Sequence, residues 1–178
     1  MRAFWAKGYE ATSLGDLVAA TGLHKGSLYQ AFGDKHALYL RTLNRYLANI
    51  RQHKNELLDG AATPLEGVRT VLHHFIDMAN GDANCPQGCM ALRSTVELAS
   101  HDADVERIMD EHKRIMHGTI QEKIAEAQAS GEISGDKSPE MISSLIMVFM
   151  SGLAALSGGG TPVEEAHALL DAQLDQLL

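Results

Sequence analysis

The chain has 178 residues, 45% of them hydrophobic and 21% charged, with two cysteines and a formal net charge of −8. This length holds a real core, this composition excludes intrinsic disorder, and two cysteines are too few for a disulfide framework. The charge is split, +5 over residues 1–54 (eight basic, three acidic) and −13 over the remainder (seven basic, twenty acidic), the asymmetry expected where one end meets phosphates.

No stretch alternates with period two and β-branched residues, so the pattern predicts helices throughout. Residues 2–7 read as the tail of a first helix, anchored by Phe4 and Trp5 and stopped by Gly8. Thr12 or Ser13 starts the second helix. There Ser13-x-x-Asp16 matches the capping box, Leu14, Leu17 and Val18 form the buried stripe, and Gly22 ends the element. A third helix is expected over 24–32, burying Leu28 and Phe32, and Asp34 caps a fourth that runs to about residue 58. Thr63 and Pro64 open a fifth, reaching about residue 80. A polar break over 81–88 leads to a sixth over 89–100 and a seventh over 104–130. The eighth, over 139–156, is apolar on nearly every side and should be buried. Ser143, Ser144, Ser151 and Gly152 interrupt it, so it falls short of the roughly 20 apolar residues of a membrane span. Thr161 and Pro162 open a ninth helix with apolar residues at helical spacing. No signal-peptide pattern opens the chain, and a cytoplasmic, nucleoid-associated location without a membrane partner is expected.

Residues 12–38 hold the informative stretch. Two short helices meet at a tight turn, Gly22-Leu23, which is a helix-turn-helix whose second helix lies in the major groove. With Leu28 and Phe32 facing inward, Lys25, Ser27, Tyr29, Gln30 and Ala31 remain for DNA, and Gly26 lets the helix start approach the duplex closely. The run Lys25-Gly-Ser-Leu-Tyr-x-x-Phe32-x-x-Lys35-x-x-Leu38, preceded by Ala-x-x-Gly22-Leu, closely resembles the tetracycline-repressor (TetR) family over roughly residues 3–46. That resemblance implies an N-terminal three-helix DNA-binding domain over 1–46 and a helical ligand-binding and dimerisation domain over 47–178. It implies phosphate contacts by Thr12, Tyr29 and Lys35, and positions near base edges for Lys25, Gly26, Ser27 and Gln30. The partner is double-stranded DNA with a near-palindromic operator, read by a homodimer whose heads sit about one helical turn apart. The chain departs from the family pattern in two places. His24 stands where Ser is frequent, and the first helix reads as truncated, with only seven residues before Gly8.

The resemblance also implies that the last two helices form the dimer interface. Their apolar stripes and small residues agree, and Leu145, Phe149, Gly152, Leu156, Leu169, Leu170 and Leu174 are the expected contacts. An effector pocket is expected among helices five to eight. Its candidate walls are Phe75, Met78, Met90, Met109, Met116, Met147, Phe149 and Met150, because methionine suits adaptable binding surfaces. His73, His74, His112 and His117 are candidate polar handles. Cys85 and Cys89 form a Cys-x3-Cys at the break before helix six. Cys89 at a helix N-terminus would favour thiolate, with Cys85 as its resolving partner.

The sequence thus points to an all-α transcriptional regulator, a repressor released by an unidentified small-molecule or thiol-modifying inducer. The alternatives are a small thiol-redox enzyme using Cys85 and Cys89, and a dimeric family member that has lost DNA binding. No catalytic set or cofactor motif stands out, and two cysteines without a spaced histidine pair do not make a zinc site. No cofactor, metal or enzymatic activity is expected.

Overall fold

A computed structural model describes residues 1–81 and 86–178. Among the described residues there are nine helices and no strand: α1 Arg2–Lys7, α2 Leu14–Thr21, α3 Lys25–Phe32, α4 Lys35–Asp59, α5 Pro64–Asn80, α6 Met90–Glu97, α7 Ala103–Ser130, α8 Pro139–Gly158 and α9 Val163–Leu177.

Most helix starts are specified by local side chains. Ser13 Oγ accepts from the Asp16 N–H while the Asp16 carboxylate accepts from the Ser13 N–H, so two orphan donors of α2 are satisfied reciprocally. Asp34 accepts from the Ala37 N–H, and Thr63 accepts from the Glu66 N–H ahead of Pro64. Gly22 takes the left-handed conformation (φ 69°) that turns α2 into α3, a conformation other residues adopt only at a cost.

The boundaries between α6 and α7 and between α8 and α9 differ from the sequence expectation. α6 stops at Glu97, because Leu98 leaves the helical conformation and buries its side chain. Its carbonyl then accepts from the His101 and Asp102 N–H groups in a tight turn, and Asp102 caps α7 one residue early. α8 continues to Gly158, and α9 begins at Val163 after Pro162, with no side-chain cap from Thr161.

The interior divides into two apolar clusters. The first joins Phe4 and Trp5 of α1, Leu17 of α2 and Leu28 of α3 to Tyr39, Leu43, Tyr46, Leu47 and Ile50 of α4, to α6 and to the start of α7. The division expected after residue 46 therefore falls inside a continuous helix and inside one cluster. The second cluster draws Ile, Leu and Val from α5, the C-terminal half of α7, α8 and α9. α8 is long and apolar enough to cross a membrane by length and composition, unlike the shorter run read from sequence. In the fold it packs along α7 and α5 and seats Ile142, Ile146 and Leu153 in the interior, while its outer side stays uncovered, so the burial expected on nearly every side holds for one side only.

Candidate functional site

The N-terminal helices are held by very few buried side chains. α3 buries only Leu28, while Lys25, Gly26, Ser27, Gln30 and Ala31 are exposed on its outer side and Tyr29 is half-buried. Phe32, expected inside, is half-buried and carries the Arg41 guanidinium over its ring. A Cβ added to Gly26 would meet nothing within 4 Å, so the start of α3 is open to an approaching molecule. The Lys25 ammonium lies 5.9 Å from the Tyr29 ring centroid. Lys35, in the first turn of α4, stacks on Tyr9 at 4.4 Å and donates to the Glu10 carbonyl. His24 at the α3 cap makes no side-chain cap bond.

Thr12 requires correction. Its side chain is fully buried and its hydroxyl donates to the carbonyls of Gly8 and Ala3. A β-branched hydroxyl satisfied by α1 closes the α1–α2 corner and leaves nothing for a phosphate. The exposed hydroxyl at this corner is Ser13, whose capping role was legible but whose position facing solvent was not. The neighbouring Asp16 is held far below the usual carboxylate range by the Lys7 ammonium and by Ser13.

α6 ties this head to the rest of the molecule. Both carboxylate oxygens of Glu97 accept backbone N–H groups, from Tyr9 (3.0 Å) and Glu10 (2.7 Å). Gly8 lets them approach, since a Cβ there would stand 2.5 Å from Glu97 Oε2. The Ser94 hydroxyl donates to the Met90 carbonyl and so accepts from the Tyr39 hydroxyl at 2.7 Å. Arg93 donates to the Ala6 carbonyl, and Trp5 Nε1 donates to the Gly88 carbonyl. His36 and Asp102 pair at 2.7 Å between the starts of α4 and α7. None of these pairings was read from sequence, because separations of 55 to 88 residues leave no local pattern.

A cavity of about 200 Å³ opens on the other side of α6. Phe75, Met78, Met109, Met116, Met147 and Met150 line it, as do Cys89, Ala91, Leu92 and Thr95 of α6. Met90 does not: it is fully buried in the first cluster, on the opposite face of α6, and leaves the candidate set. Phe149 lies against the second cluster and is not a wall either. Of the four histidines only His112 lines the cavity. His73 bonds His167 and Asp171 across α5 and α9, His117 bonds Ser143 and Ser144, and His74 stacks on His53. Burial, reinforced by Arg51, Lys54 and Lys113, pushes the His112 pKa down to about 4, so the ring is neutral at pH 7. The Cys89 thiol caps α6 and lies 3.8 Å from the Tyr46 hydroxyl. Cys85 lies outside the described residues.

The outer faces of α8 and α9 carry a stripe of exposed apolar side chains. Leu145, Leu156 and Leu169 are among its most exposed members, Gly152 is open, and Phe149 is half-buried. Leu170 and Leu174 are not on it: both are fully buried in the second cluster, because α9 turns that side inward against α5. Met141 (57% exposed) and Val148 (72%) belong to the stripe and were missed, since an all-round apolar helix does not reveal which side stays uncovered.

Comparison with known proteins fits this geometry. Residues 1–42 match the model of the bacterial regulatory proteins of the tetR family, and residues 64–169 match that of the tetracyclin repressor-like C-terminal domain. The HTH-type transcriptional repressor ComR of Escherichia coli is 26% identical over 93% of this chain and 79% of its own. The repressor DhaR of a Mycobacterium species is 28% identical over 84% of this chain and 73% of its own. Among solved structures, a cysteine mutant of the regulator CifR complexed with a 26 bp operator superposes with a TM-score of 0.85 at 25% identity, covering 98% of this chain and 91% of that one. A TetR regulator from Chloroflexus aurantiacus gives 0.83 at 26% identity, covering 98% and 89%. With models of both halves of the fold matched in their proper order, the chain belongs to the TetR family: it is a transcriptional regulator with an N-terminal helix-turn-helix DNA-binding domain, and not an enzyme.

Proposed function

We propose that the chain is a cytoplasmic, homodimeric repressor that leaves a near-palindromic operator when a small molecule enters the cavity beside α6. The observation that carries DNA reading is the outer side of α3, where Lys25, Gly26, Ser27, Gln30 and Ala31 all face solvent on a helix anchored by Leu28 alone. A helix that buries one residue and exposes five consecutive-face positions serves an external groove rather than a core. Tyr29 and Lys35 flank it as phosphate contacts, and the exposed α8–α9 stripe, with Met141 and Val148 added to Leu145, Gly152, Leu156 and Leu169, is the face for a second copy. The two functional units meet within α4, near the division expected at residues 46 and 47.

Release follows from α6. One side of this short helix lines the cavity through Ala91, Leu92 and Thr95, and the other holds the head through Ser94 and Glu97. A ligand that shifts α6 moves the grip on α1 and α4, and so the spacing of the two heads. It does so only by the difference in its affinity for the two arrangements. A thiol-modifying effector is the second reading, favoured by Cys89 Sγ lining the same cavity at the α6 cap. In that case a Cys89→Ser chain stays on DNA in the presence of an electrophile.

The test is binding of the purified protein to its own upstream intergenic DNA, in rising salt and against scrambled sequence. Selective binding with a steep salt slope is expected. Lys25→Ala and Gln30→Ala should cost about 1–3 kcal/mol on the operator and far less on scrambled DNA, if they read bases. Equal losses on both sequences overturn base reading by these residues, and absence of selective binding by the dimer overturns the repressor reading.

A further inference from the structure

The cavity is sized and walled for one aromatic ring with modest substituents. About 150 Å³ of apolar cavity accommodates benzene, and here about 200 Å³ is enclosed mainly by Leu72, Phe75, Ile76 and the methionines. Such walls reward apolar area and ask nothing else of a ligand.

His112 asks for something more. Its Nδ1 is buried and has no hydrogen-bond partner in the protein. A buried polar atom left unpaired costs free energy that a ligand recovers by pairing it. The charged groups that act on the ring are the positive ones Arg51, Lys54 and Lys113, the last of which also lines the cavity, while Glu122 acts on Lys54. Lys54 Nζ is itself buried against the Thr119 hydroxyl, and Lys113 has Asp110 beside it on the surface. A cationic ligand would meet the same burial and the same positive neighbours that together keep His112 neutral. A ligand oxygen that gains negative charge would be stabilised.

An acidic hydroxyl meets all of these conditions. It donates to the ring-nitrogen lone pair of the neutral imidazole, and in its ionised form it accepts from the ring N–H. We propose that the cavity binds a ring-sized apolar acid, a phenol or an aromatic carboxylic acid, with its acidic oxygen hydrogen-bonded to the His112 imidazole. The overall acidity of the body does not decide against this, because the groups that act on the ring are basic. This assignment rests on the reading of the cavity as the effector site.

Calorimetric titration of the full chain with 4-isopropylphenol, 4-isopropylbenzoate, 4-isopropylbenzylamine and isopropylbenzene tests it. The phenol or the benzoate should bind at least about tenfold more tightly than the hydrocarbon, the scale of one buried hydrogen bond, and the ammonium should bind most weakly. Which of the two acids binds better separates the phenol from the carboxylate. His112→Leu should bring the acid down to the hydrocarbon's affinity while isopropylbenzene binds within about twofold of before. That retained hydrocarbon binding reports an intact cavity, and His112→Phe serves if the leucine variant is misfolded. Equal binding of acid and hydrocarbon, preference for the amine, an acid preference that survives loss of His112, or binding of none of the four overturns the proposal. Operator release is measured separately. An acid that binds through His112 and leaves DNA bound supports the ligand class and removes the effector reading. Release by hydrocarbon and acid at equal concentrations does the reverse.

Discussion

The two buried clusters are built from different materials. The one that joins the head to α4 and α6 contains Phe4, Trp5, Tyr39 and Tyr46, with edge-to-face contacts between Phe4 and Tyr39 and between Trp5 and Tyr46. Directional bonds pin it, from the Tyr39 hydroxyl to Ser94 and from Trp5 to the Gly88 carbonyl. The other cluster, among the described residues, is aliphatic at every fully buried position. Aromatic edges and hydrogen bonds fix angles as well as distances, whereas branched aliphatics mainly exclude water. Orientation is therefore concentrated where α6 must hold the head, and plain burial suffices where α8 and α9 need only present a face.

Breaking that contrast is the sharpest way to test it. Trp5→Ala should cost about 3–5 kcal/mol of stability, read by chemical denaturation, and should weaken operator binding beyond what the unfolded fraction explains. Leu170→Ala in the aliphatic cluster should cost about 2–4 kcal/mol and leave operator affinity of the folded protein unchanged. A fall in that affinity would mean that both clusters set the heads. Between them stands His112. Its neutral form is the one that folds, so the stability it contributes is fully present above its ordinary value of 6.5 and is lost as pH falls from there through about 4. That loss amounts to at most about 3 kcal/mol, and His112→Leu should flatten it. Part of the slope remains in that variant, because burial lowers His74 as well. The smallest effect belongs to Tyr39→Phe. It removes one donor from Ser94 and should cost about 1 kcal/mol in thermal unfolding, and under the proposed release it should change the ligand concentration at which DNA is freed.

What was legible in the sequence was local. Ser13 with Asp16, Thr63 with Pro64, and Gly22 each declare a helix end within four residues, and the all-α architecture follows from the spacing between such ends. The turn between α2 and α3 was equally readable. What escaped depends on which neighbour covers a side chain. Thr12 has the chemistry of a phosphate contact and is spent on α1. Met90 and Leu92 sit two residues apart on α6 and face different compartments. Leu170, expected on the outer face, is buried, and Val148, which was not singled out, is exposed, because apolar spacing marks a face without saying whether α5 or solvent meets it.

The grip of Glu97 on the loop after α1 has a consequence for how this chain varies over generations. Its two oxygens hold the main-chain N–H groups of residues 9 and 10, which every amino acid but proline supplies. A change of side chain there leaves this hold intact, although Tyr9 also carries the Lys35 ammonium and packs on Tyr39. Inheritance of this link between the halves therefore rests on the codon for residue 97, and on the small one at residue 8 that leaves it room.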